Sequence, residues 1–234
     1  MSEDVDGPRT MAILAGGSNA RMEALRGTIY KAFLPIHGLS CVARHIIRAA
    51  AFGIAHVTVM ADVNDPALRL LAQPAELEGG PQVEVVEHDG SPSEKIVSWY
   101  RSLGVGAKAL VVVGDTLAPV DLTALWHSTG NRFDSALALA RVRLPFSVVE
   151  VQDDRVLSVT ENPITQSYAN TGHMVLGPSA VQYMARGADL ITALGRTAAE
   201  GRLKAVLCDG PFTAVDSLSG LAAAHLALPA QTSP

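Results

Sequence analysis

The stretch that decides the fold is an apolar run followed by a glycine pair and an arginine, Leu14-Ala15-Gly16-Gly17-Ser18-Asn19-Ala20-Arg21. Residues 11–14 are all apolar and predict a buried strand, and the two glycines let the backbone turn sharply after it. Ten positions beyond Arg21 comes a second cation, Lys31. A glycine pair alone is also typical of ordinary strand-to-helix turns. The backbone N–H groups of such a loop, together with a cation on each side, can however bind a single polyanion. The segment therefore predicts a binding site for a triphosphate.

Composition bounds the class of protein. With 234 residues and 48% hydrophobic content, the chain predicts a single domain over 1–234, frayed at 1–9 and 229–234. The net charge is −5 and no basic run occurs, so we expect no nucleic-acid partner. No apolar stretch approaches the roughly 20 residues of a membrane span, and the acidic start lacks a signal peptide's positive region. The expected location is therefore the cytoplasm, with no membrane partner.

Cysteine and histidine spacing predicts no metal site. Cys41 and Cys208 lack a CxxC arrangement and are expected to be buried free thiols. The seven histidines show no ligand spacing either, so they are expected to be structural or surface residues.

Along the rest of the chain, predicted strands first alternate with predicted helices, and later strands follow one another with little helix between them. Strands are predicted over 56–61, 83–87 and 109–113, and helices over 40–52, 66–71, 92–103 and 122–127, which indicates a parallel sheet covered on both faces. Strands at 136–142, 147–151 and 156–159 follow, with residues 152–155 as a hairpin turn, and predict a small antiparallel flap. A strand ending at Val175, helices over 179–186 and 188–199, a strand over 203–207 and a helix over 218–226 complete the prediction.

Two aspartates stand at positions where chemistry is common. Asp115 follows the apolar strand 109–113, at the carboxyl end where ligands gather in open α/β sheets, although a cap for the next turn is an equal reading. Asp216 precedes the last predicted helix and, taken alone, reads as an N-terminal helix cap.

The first loop resembles the signature of the sugar-1-phosphate nucleotidyltransferases, a glycine-rich loop with an arginine followed by a proline-flanked lysine. The spacing from Arg21 to Lys31 matches, and residues 34–38 match the end of the signature. The chain departs from it in having Asn19-Ala20 in place of Gly-Thr, Tyr30 in place of the first proline and Ala32 in place of the second. The resemblance implies an α/β, Rossmann-like, doubly wound and mostly parallel mixed sheet of the glycosyltransferase-A type.

The resemblance also implies roles for individual residues. It assigns Mg²⁺ to Asp115 and Asp216, the leaving β/γ-phosphates to Arg21 and the α-phosphate to Lys31, although the family's tryptophan before the second aspartate is absent here. The base and phosphates of the nucleotide are then expected at the first loop and at a later glycine-containing segment, namely Leu14, Ala15, Gly16, Gly17, Ser18, Asn19, Ala20, Asp89, Gly90 and Ser91. For the later segment a plain helix N-terminus is an equally good explanation.

The acceptor side is inferred from residues 160–172. Glu161-Asn162-Pro163 and then Asn170-Thr171-Gly172 resemble the family's E-K-P followed by a sugar-binding strand, with Asn162 in place of the lysine. Either another cation substitutes for that lysine, or the acceptor differs from a common hexose phosphate, which admits a sugar-like cyclitol. A solvated strand end and ordinary turn residues are the alternative readings of these two segments.

These features predict an enzyme that joins a nucleoside triphosphate to a sugar-1-phosphate or cyclitol-1-phosphate with Mg²⁺ and releases pyrophosphate. The order Gly114-Asp115-Thr116 to Leu122 is most similar to heptose-1-phosphate guanylyltransferases and favours GTP. Two alternatives stay open: a cytidylyltransferase acting on a non-sugar phosphate such as phosphocholine or methylerythritol phosphate, and a catalytically weak, regulatory nucleotide-binding homologue. A homo-oligomer is implied by the resemblance alone.

Overall fold

The computed structural model describes residues 7–16, 22, 30–62, 80–104, 106–130, 134–210 and 212–228. The first strands and helices are β1 (Thr10–Leu14), β2 (Pro35–Ile36), β3 (Leu39–Ser40), α1 (Cys41–Ala51), β4 (His56–Ala61), β5 (Gln82–Glu87), α2 (Pro92–Tyr100), β6 (Ala109–Val113), β7 (Thr116–Leu117) and α3 (Leu122–His127). The later ones are β8 (Ser135–Arg143), β9 (Val148–Gln152), β10 (Arg155–Thr160), β11 (Ile164–Leu176), α4 (Pro178–Ala185), α5 (Leu190–Ala199), β12 (Leu203–Leu207), β13 (Thr213–Ala214) and α6 (Leu218–Ala227).

Seven strands form one central sheet in the order β12, β8, β11, β6, β1, β4, β5. Strand β1 runs parallel to β4 and β6, β4 runs parallel to β5, and β12 runs parallel to β8. Strand β11 is antiparallel to both of its neighbours, β6 and β8. The predicted α/β fold with a mostly parallel mixed sheet is therefore confirmed.

Alternate residues of the central strands pack on opposite faces of the sheet. Met11 and Ile13 of β1 join a core with α1 and α3 on one face. Ala12 and Leu14 join a second core with α2, α4 and α5 on the other face. Because both faces of these strands are covered, the strands read as continuous apolar runs, as expected for the centre of such a sheet.

A third, smaller core ties the start of the chain to its end. It contains Met22, Leu34, Ile36, Cys41, Leu117, Val215 and Ala224. Strand β13 also pairs antiparallel with β7, which directly follows the turn after β6. The segments around Lys31, Asp115 and Asp216 are thus held against one another by apolar packing and by backbone pairing.

Most predicted elements have the expected position and type, within a few residues. Ser40 caps α1 by accepting a hydrogen bond from the Ala43 amide at 3.1 Å. Helix α2 ends at Tyr100 and continues only as a 3-10 turn, so the predicted extension to 103 is wrong. The predicted helix over 66–71 lies outside the described residues.

The predicted hairpin turn is present between β9 and β10. Asp153 and Asp154 both have positive φ, 46° and 62°, the backbone that a two-residue hairpin with right-handed strand twist requires. These two strands form a separate two-stranded sheet beside the central one, which corresponds to the predicted flap. We call β9, β10 and their turn, residues 148–160, the arm.

The remaining expectations concern the amino-terminal segment, the thiols and the membrane. Pro8 is buried, and the Arg9 carbonyl accepts hydrogen bonds from the amides of Ala55 and His56, both at 3.0 Å, so the chain is anchored there. Both cysteines are free, and burial raises the pKa of Cys41 to about 12, whereas Cys208 is only half-buried. None of the helices in the described ranges is long and apolar enough to cross a bilayer.

Candidate active site at the end of strand β6

An ion pair between Lys31 and Asp115 lies at the centre of the site. Asp115 occupies the turn between β6 and β7, and Lys31 begins a short 3-10 turn, Lys31–Phe33. The Lys31 ammonium contacts Oδ2 of Asp115, and the two side chains are 26% and 10% exposed. The structure therefore brings together two of the predicted site residues, of which Lys31 is partly exposed and Asp115 is nearly buried.

A glycine at position 114 permits this arrangement. The Gly114 amide donates to the Leu14 carbonyl at 2.8 Å, which joins the ends of β6 and β1. A Cβ atom at position 114 would lie only 2.8 Å from that same carbonyl oxygen. Glycine is thus required for the close approach that puts Asp115 beside the start of the predicted phosphate loop.

Asp216 reaches the same place from the far end of the chain. The Val215 amide donates to the Asp115 carbonyl at 2.8 Å and continues the pairing of β13 with β7. The N-cap of α6 is Ser217, whose hydroxyl accepts from the Gly220 amide at 3.0 Å, so Asp216 is not the helix cap. The two aspartates predicted to bind metal therefore lie on adjacent, hydrogen-bonded segments.

The donor set fits a hard divalent cation. In the part of the chain that the structure describes, no group of three or more histidine, cysteine, aspartate or glutamate residues could hold a metal ion. Two carboxylates are nevertheless enough for Mg²⁺, which completes an octahedral shell with waters and substrate phosphates. The residues present are therefore compatible with Mg²⁺ bound jointly by Asp115, Asp216 and a phosphate ligand.

A second ion pair, between Lys95 and Asp62, was not predicted from the sequence. Lys95 projects from α2 and is 5% exposed, and its ammonium contacts Oδ1 of Asp62, which follows β4 directly and is 28% exposed. A Cβ atom at Gly16 would come within 2.6 Å of the Lys95 ammonium nitrogen. This pair therefore borders the start of the phosphate loop and would have to shift if residue 16 carried a side chain.

The residues predicted to bind the nucleotide are only partly described. Leu14, Ala15 and Gly16 lie at the end of β1, where the Ala15 amide donates to the Met60 carbonyl at 2.8 Å. The positions from Gly17 to Arg21, namely Gly17, Ser18, Asn19, Ala20 and Arg21, lie outside the described residues.

The later predicted nucleotide segment begins helix α2. Ser91 is the N-cap of a capping box with Glu94: the Ser91 amide donates to Glu94 at 2.7 Å, and the Glu94 amide donates to the Ser91 hydroxyl at 3.3 Å. The Gly90 amide donates to Nδ1 of His88 at 2.8 Å, and Asp89 between them is exposed. Helix capping therefore accounts for Ser91 in this structure, and its contact with a nucleotide stays a prediction.

The second predicted acceptor segment lies against the turn that carries Asp115. Gly172 has φ +77°, and a Cβ atom there would lie 2.6 Å from Oγ1 of Thr116. Asn170 accepts from the Gly172 amide at 2.9 Å, and the buried Thr171 hydroxyl donates to the Ala138 carbonyl at 3.0 Å. The polar side chains of Asn170 and Thr171 thus hold the local backbone, and Gly172 provides the close approach.

The first acceptor segment lies further along the sheet. Asn170 pairs with Leu139 of β8, whereas Ile164 pairs with Arg143, and four residues of strand separate these partners by about 13 Å. Glu161 and Asn162 form the turn before Ile164, and Asn162 has φ +47°, a backbone that asparagine tolerates better than lysine. The structure therefore places the two predicted acceptor segments at separate points along β8 and β11.

A cation and a cavity accompany the first acceptor segment. The Arg143 guanidinium donates to the Asn162 carbonyl at 3.0 Å. A cavity of about 660 Å³ extends along β8 and β11 from Leu139 to Arg143, and the Arg141 guanidinium in its wall lies 5.3 Å from the centre of the Tyr168 ring. Arg141 and Arg143 were not predicted, although two arginines at alternate positions of a strand share one face.

Two buried histidines lie beneath the site. The rings of His45 and His173 pack edge-to-face with centroids 5.4 Å apart, and His173 directly follows Gly172. Burial, with the neighbouring His173, lowers the pKa of His45 to about 3, and burial likewise lowers the pKa of His173 to about 4. Both rings are therefore neutral at physiological pH, in agreement with a structural role.

Comparison with known proteins gives three findings. The sequence profile described as the MobA-like NTP transferase domain matches residues 11–144. Among solved structures, a Bacillus anthracis protein with the provisional name glucose-1-phosphate thymidylyltransferase, crystallised with a sucrose, is 18% identical. It superposes with a TM-score of 0.72 over 96% of each chain, which establishes the shared fold. No curated protein is significantly similar in sequence.

Proposed function

Because this chain belongs to the MobA-like NTP transferase domain family, we propose that it transfers a nucleotidyl group from a nucleoside triphosphate to a sugar-1-phosphate or a sugar-like cyclitol-1-phosphate. The observation that carries the proposal is the Lys31–Asp115 ion pair at the end of β6, with Asp216 on the segment hydrogen-bonded to Asp115. These charges converge where the apolar strand β1 leads into the glycine loop.

The reaction requires charge neutralisation and orientation more than proton transfer. An oxygen of the acceptor phosphate forms a bond to the α-phosphorus, and the bond from that phosphorus to the pyrophosphate oxygen breaks. The second pKa of a phosphate monoester is about 6, so the attacking oxygen is already ionised near neutral pH and needs no general base. The enzyme must instead bring two anions together, which is work for cations held in fixed positions.

Each charged residue has a distinct role in this proposal. Lys31 exchanges its contact with Asp115 for the α-phosphate, and Arg21 binds the leaving β- and γ-phosphates. Asp115 and Asp216 would hold Mg²⁺, whose charge screens the repulsion between the two substrates. Lys95 and Asp62 keep the start of the loop in place because their ion pair packs directly against Gly16.

Arg143 is our candidate for the cation that replaces the family's lysine at Asn162. It lies against the Asn162 backbone and lines the cavity that begins one residue from Asn170. A sugar phosphate together with an arginine side chain spans the roughly 13 Å of strand between Asn170 and Arg143. We expect Arg143→Gln to raise the acceptor KM several-fold with little change in the nucleotide KM. Arg186→Gln, an exposed control at the residue that follows α4, should change neither.

For the nucleotide we retain GTP, which the order of residues after Gly114 favours. The provisional name of the Bacillus anthracis protein makes dTTP the first competitor. The acceptor is the less constrained substrate, because Asn162 removes a charge that relatives use.

The decisive experiment measures pyrophosphate release with Mg²⁺ across five nucleoside triphosphates and a panel of sugar, heptose, cyclitol and amino-alcohol phosphates. We expect turnover with one sugar-like phosphate, and loss of at least about a hundredfold in kcat for Asp115→Asn. The matched control is Asp154→Asn at the exposed tip of the arm, where asparagine suits the positive φ. Turnover only with a non-sugar phosphate, or none with any pair, would contradict the proposal.

A further inference from the structure

The ion pair between Lys95 and Asp62 lies in the middle of the predicted nucleotide site. A Cβ atom at Gly16 would overlap both the Asp62 carboxylate and the Lys95 ammonium, so the two charges lie directly beside the first loop. Lys95 is also in the first turns of α2, the helix whose N-cap is Ser91. The pair is therefore flanked by both of the segments that are expected to bind the nucleotide.

The enclosure of this pair indicates a role in recognition. The Lys95 side chain is 5% exposed, and that of Asp62 is 28% exposed. Removing two charges from water costs about as much free energy as their attraction returns, so apolar residues of similar volume often stabilise a fold equally well. Recognition of a ligand explains the pair better than stability does, and Asp62 is the member with more surface to offer.

The position of Asp62 in the sheet suits the base of a nucleotide whose α-phosphate lies near Asp115. Strands β4 and β6 flank β1, and all three run parallel, so Asp62 and Asp115 follow strand ends at the same edge of the sheet. Two strand spacings separate these ends by roughly 10 Å. A nucleoside monophosphate spans such a distance between its phosphate and the outer edge of its base.

We propose that Lys95 and Asp62 bind the hydrogen-bonding edge of a guanine base, an inference that rests on the proposed nucleotidyl transfer. The Lys95 ammonium contacts Oδ1 of Asp62, so the pair offers one donor and then two acceptors, Oδ1 and Oδ2. Guanine presents the complementary order, an acceptor at O6 and donors at N1 and N2. Its N1–H and N2–H groups form a parallel fork that donates to both carboxylate oxygens, and the ammonium donates to O6.

The other four bases do not match this order. Uracil and thymine place a carbonyl oxygen opposite Oδ2 of Asp62, and two acceptors that face one another repel. Adenine and cytosine place an amino group opposite the Lys95 ammonium, and when turned over they satisfy at most two of the three positions. Mismatched polar groups in an enclosed site are costly, so the site rejects these bases.

Isothermal titration calorimetry of the full chain with magnesium nucleotides measures this selection without requiring turnover. We expect the wild type to bind GTP at least about tenfold more tightly than ATP, CTP, UTP or dTTP. Inosine triphosphate, which differs from GTP only in lacking the N2 amine, should also bind about tenfold more weakly than GTP. This comparison isolates the contact with Oδ2 of Asp62 and needs no variant.

Asp62→Asn exchanges an acceptor for an amide donor while an oxygen stays available to Lys95. The variant should bind GTP about tenfold more weakly than the wild type. It should bind xanthosine triphosphate about tenfold more tightly, because that base has a carbonyl oxygen in place of the N2 amine. Asp134→Asn is the matched control: it breaks the ion pair with Arg202 at the start of β8, at the opposite end of the sheet, and should keep the preference for GTP.

The outcomes separate base recognition from the proposed reaction. Equal affinity for all nucleotides, tighter binding of another base, or unchanged GTP affinity in Asp62→Asn would overturn the inference and leave the reaction standing. Selective binding of GTP without pyrophosphate release for any acceptor would contradict the reaction alone. A chain that binds no nucleotide would overturn both.

Discussion

At the scale of single residues, the Lys31–Asp115 contact connects the structure to the proposed chemistry. The Lys31 ammonium contacts the Asp115 carboxylate, which is also a proposed ligand of the metal. A divalent cation arriving without nucleotide therefore meets a like charge at close range, which weakens its binding. Nucleotide removes this conflict because its α-phosphate offers the ammonium a new partner. Metal and nucleotide are consequently expected to bind together rather than independently.

This competition predicts opposite effects of one substitution on metal affinity and on turnover. Lys31→Met should tighten Mn²⁺ binding without nucleotide by about tenfold, because the competing charge is gone. The same variant should lose nearly all turnover, because the α-phosphate loses its cation. Titration followed by electron paramagnetic resonance measures the first effect, with Lys204→Met on the exposed strand β12 as the control. Unchanged Mn²⁺ affinity would show that Lys31 and the metal do not share Asp115.

Gly172 is a second residue whose role can be isolated with a matched pair of variants. Alanine at Gly172 would suffer the positive φ of +77° and also a contact of 2.6 Å with Thr116, whereas Gly187 has φ +93° and open space around it. We expect Gly172→Ala to destabilise the fold by about 1–3 kcal/mol more than Gly187→Ala, since only the former adds a steric clash. Urea unfolding of both variants measures the difference. Equal losses of unfolding free energy in the two variants would show that the turn containing Thr116 moves to accommodate the added methyl group at little cost.

At the scale of elements, strongly patterned segments could be predicted from the sequence and short ones could not. Helix α3 and strand β6 have the expected bounds because apolar periodicity and an Asp121 cap specify them locally. Strands β7 and β13 have two residues each and carry no periodicity, yet their pairing brings Asp216 to Asp115. The family resemblance predicts a shared role for the two aspartates, and the structure shows that their segments are joined by a backbone hydrogen bond.

The Lys95–Asp62 pair escaped prediction for a related reason. Its partners are 33 positions apart, and their contact depends on α2 packing over the face of the sheet that contains β4. Two local signals were available: a carboxylate directly after a parallel strand, and a lysine on the apolar face of α2. Neither signal indicates which residue the other member of the pair is. The pair can therefore be predicted only when the arrangement of the strands and helices is known.

The packing of α1 against β11 predicts a stability that depends on pH. His45 and His173 are buried and neutral, with pKa values of about 3 and about 4 in the fold against 6.5 in the unfolded chain. Between these limits the unfolded state binds more protons, so stability is complete above pH 6.5 and falls as the pH drops. The loss between pH 7 and 5 should be about 3–4 kcal/mol for the two rings.

Urea unfolding at a series of pH values measures this loss. His173→Gln removes one of the two titrating rings and should reduce the slope below pH 6 to about half that of the wild type. His127→Gln, on an exposed histidine at the end of α3, is the control and should keep the full slope. A wild-type curve that is flat from pH 7 to 5 would contradict the burial of both rings in their neutral form.

At the scale of the whole molecule, the site unites distant parts of the chain, because Lys31, Asp115 and Asp216 are contributed by its beginning, middle and end. A ligand bound by all three should therefore stabilise the fold globally. At a hundredfold excess over its dissociation constant, nucleotide with Mg²⁺ should add about 2.7 kcal/mol, or roughly 5–10 °C in Tm for a chain of this length. EDTA should abolish most of the shift. Asp216→Asn should abolish it too, and Asp115→Asn should in addition lower the Tm measured without ligand because the contact with Lys31 is lost. A full shift in EDTA or in Asp216→Asn, measured by thermal scanning, would show that the nucleotide binds without the two-carboxylate metal site.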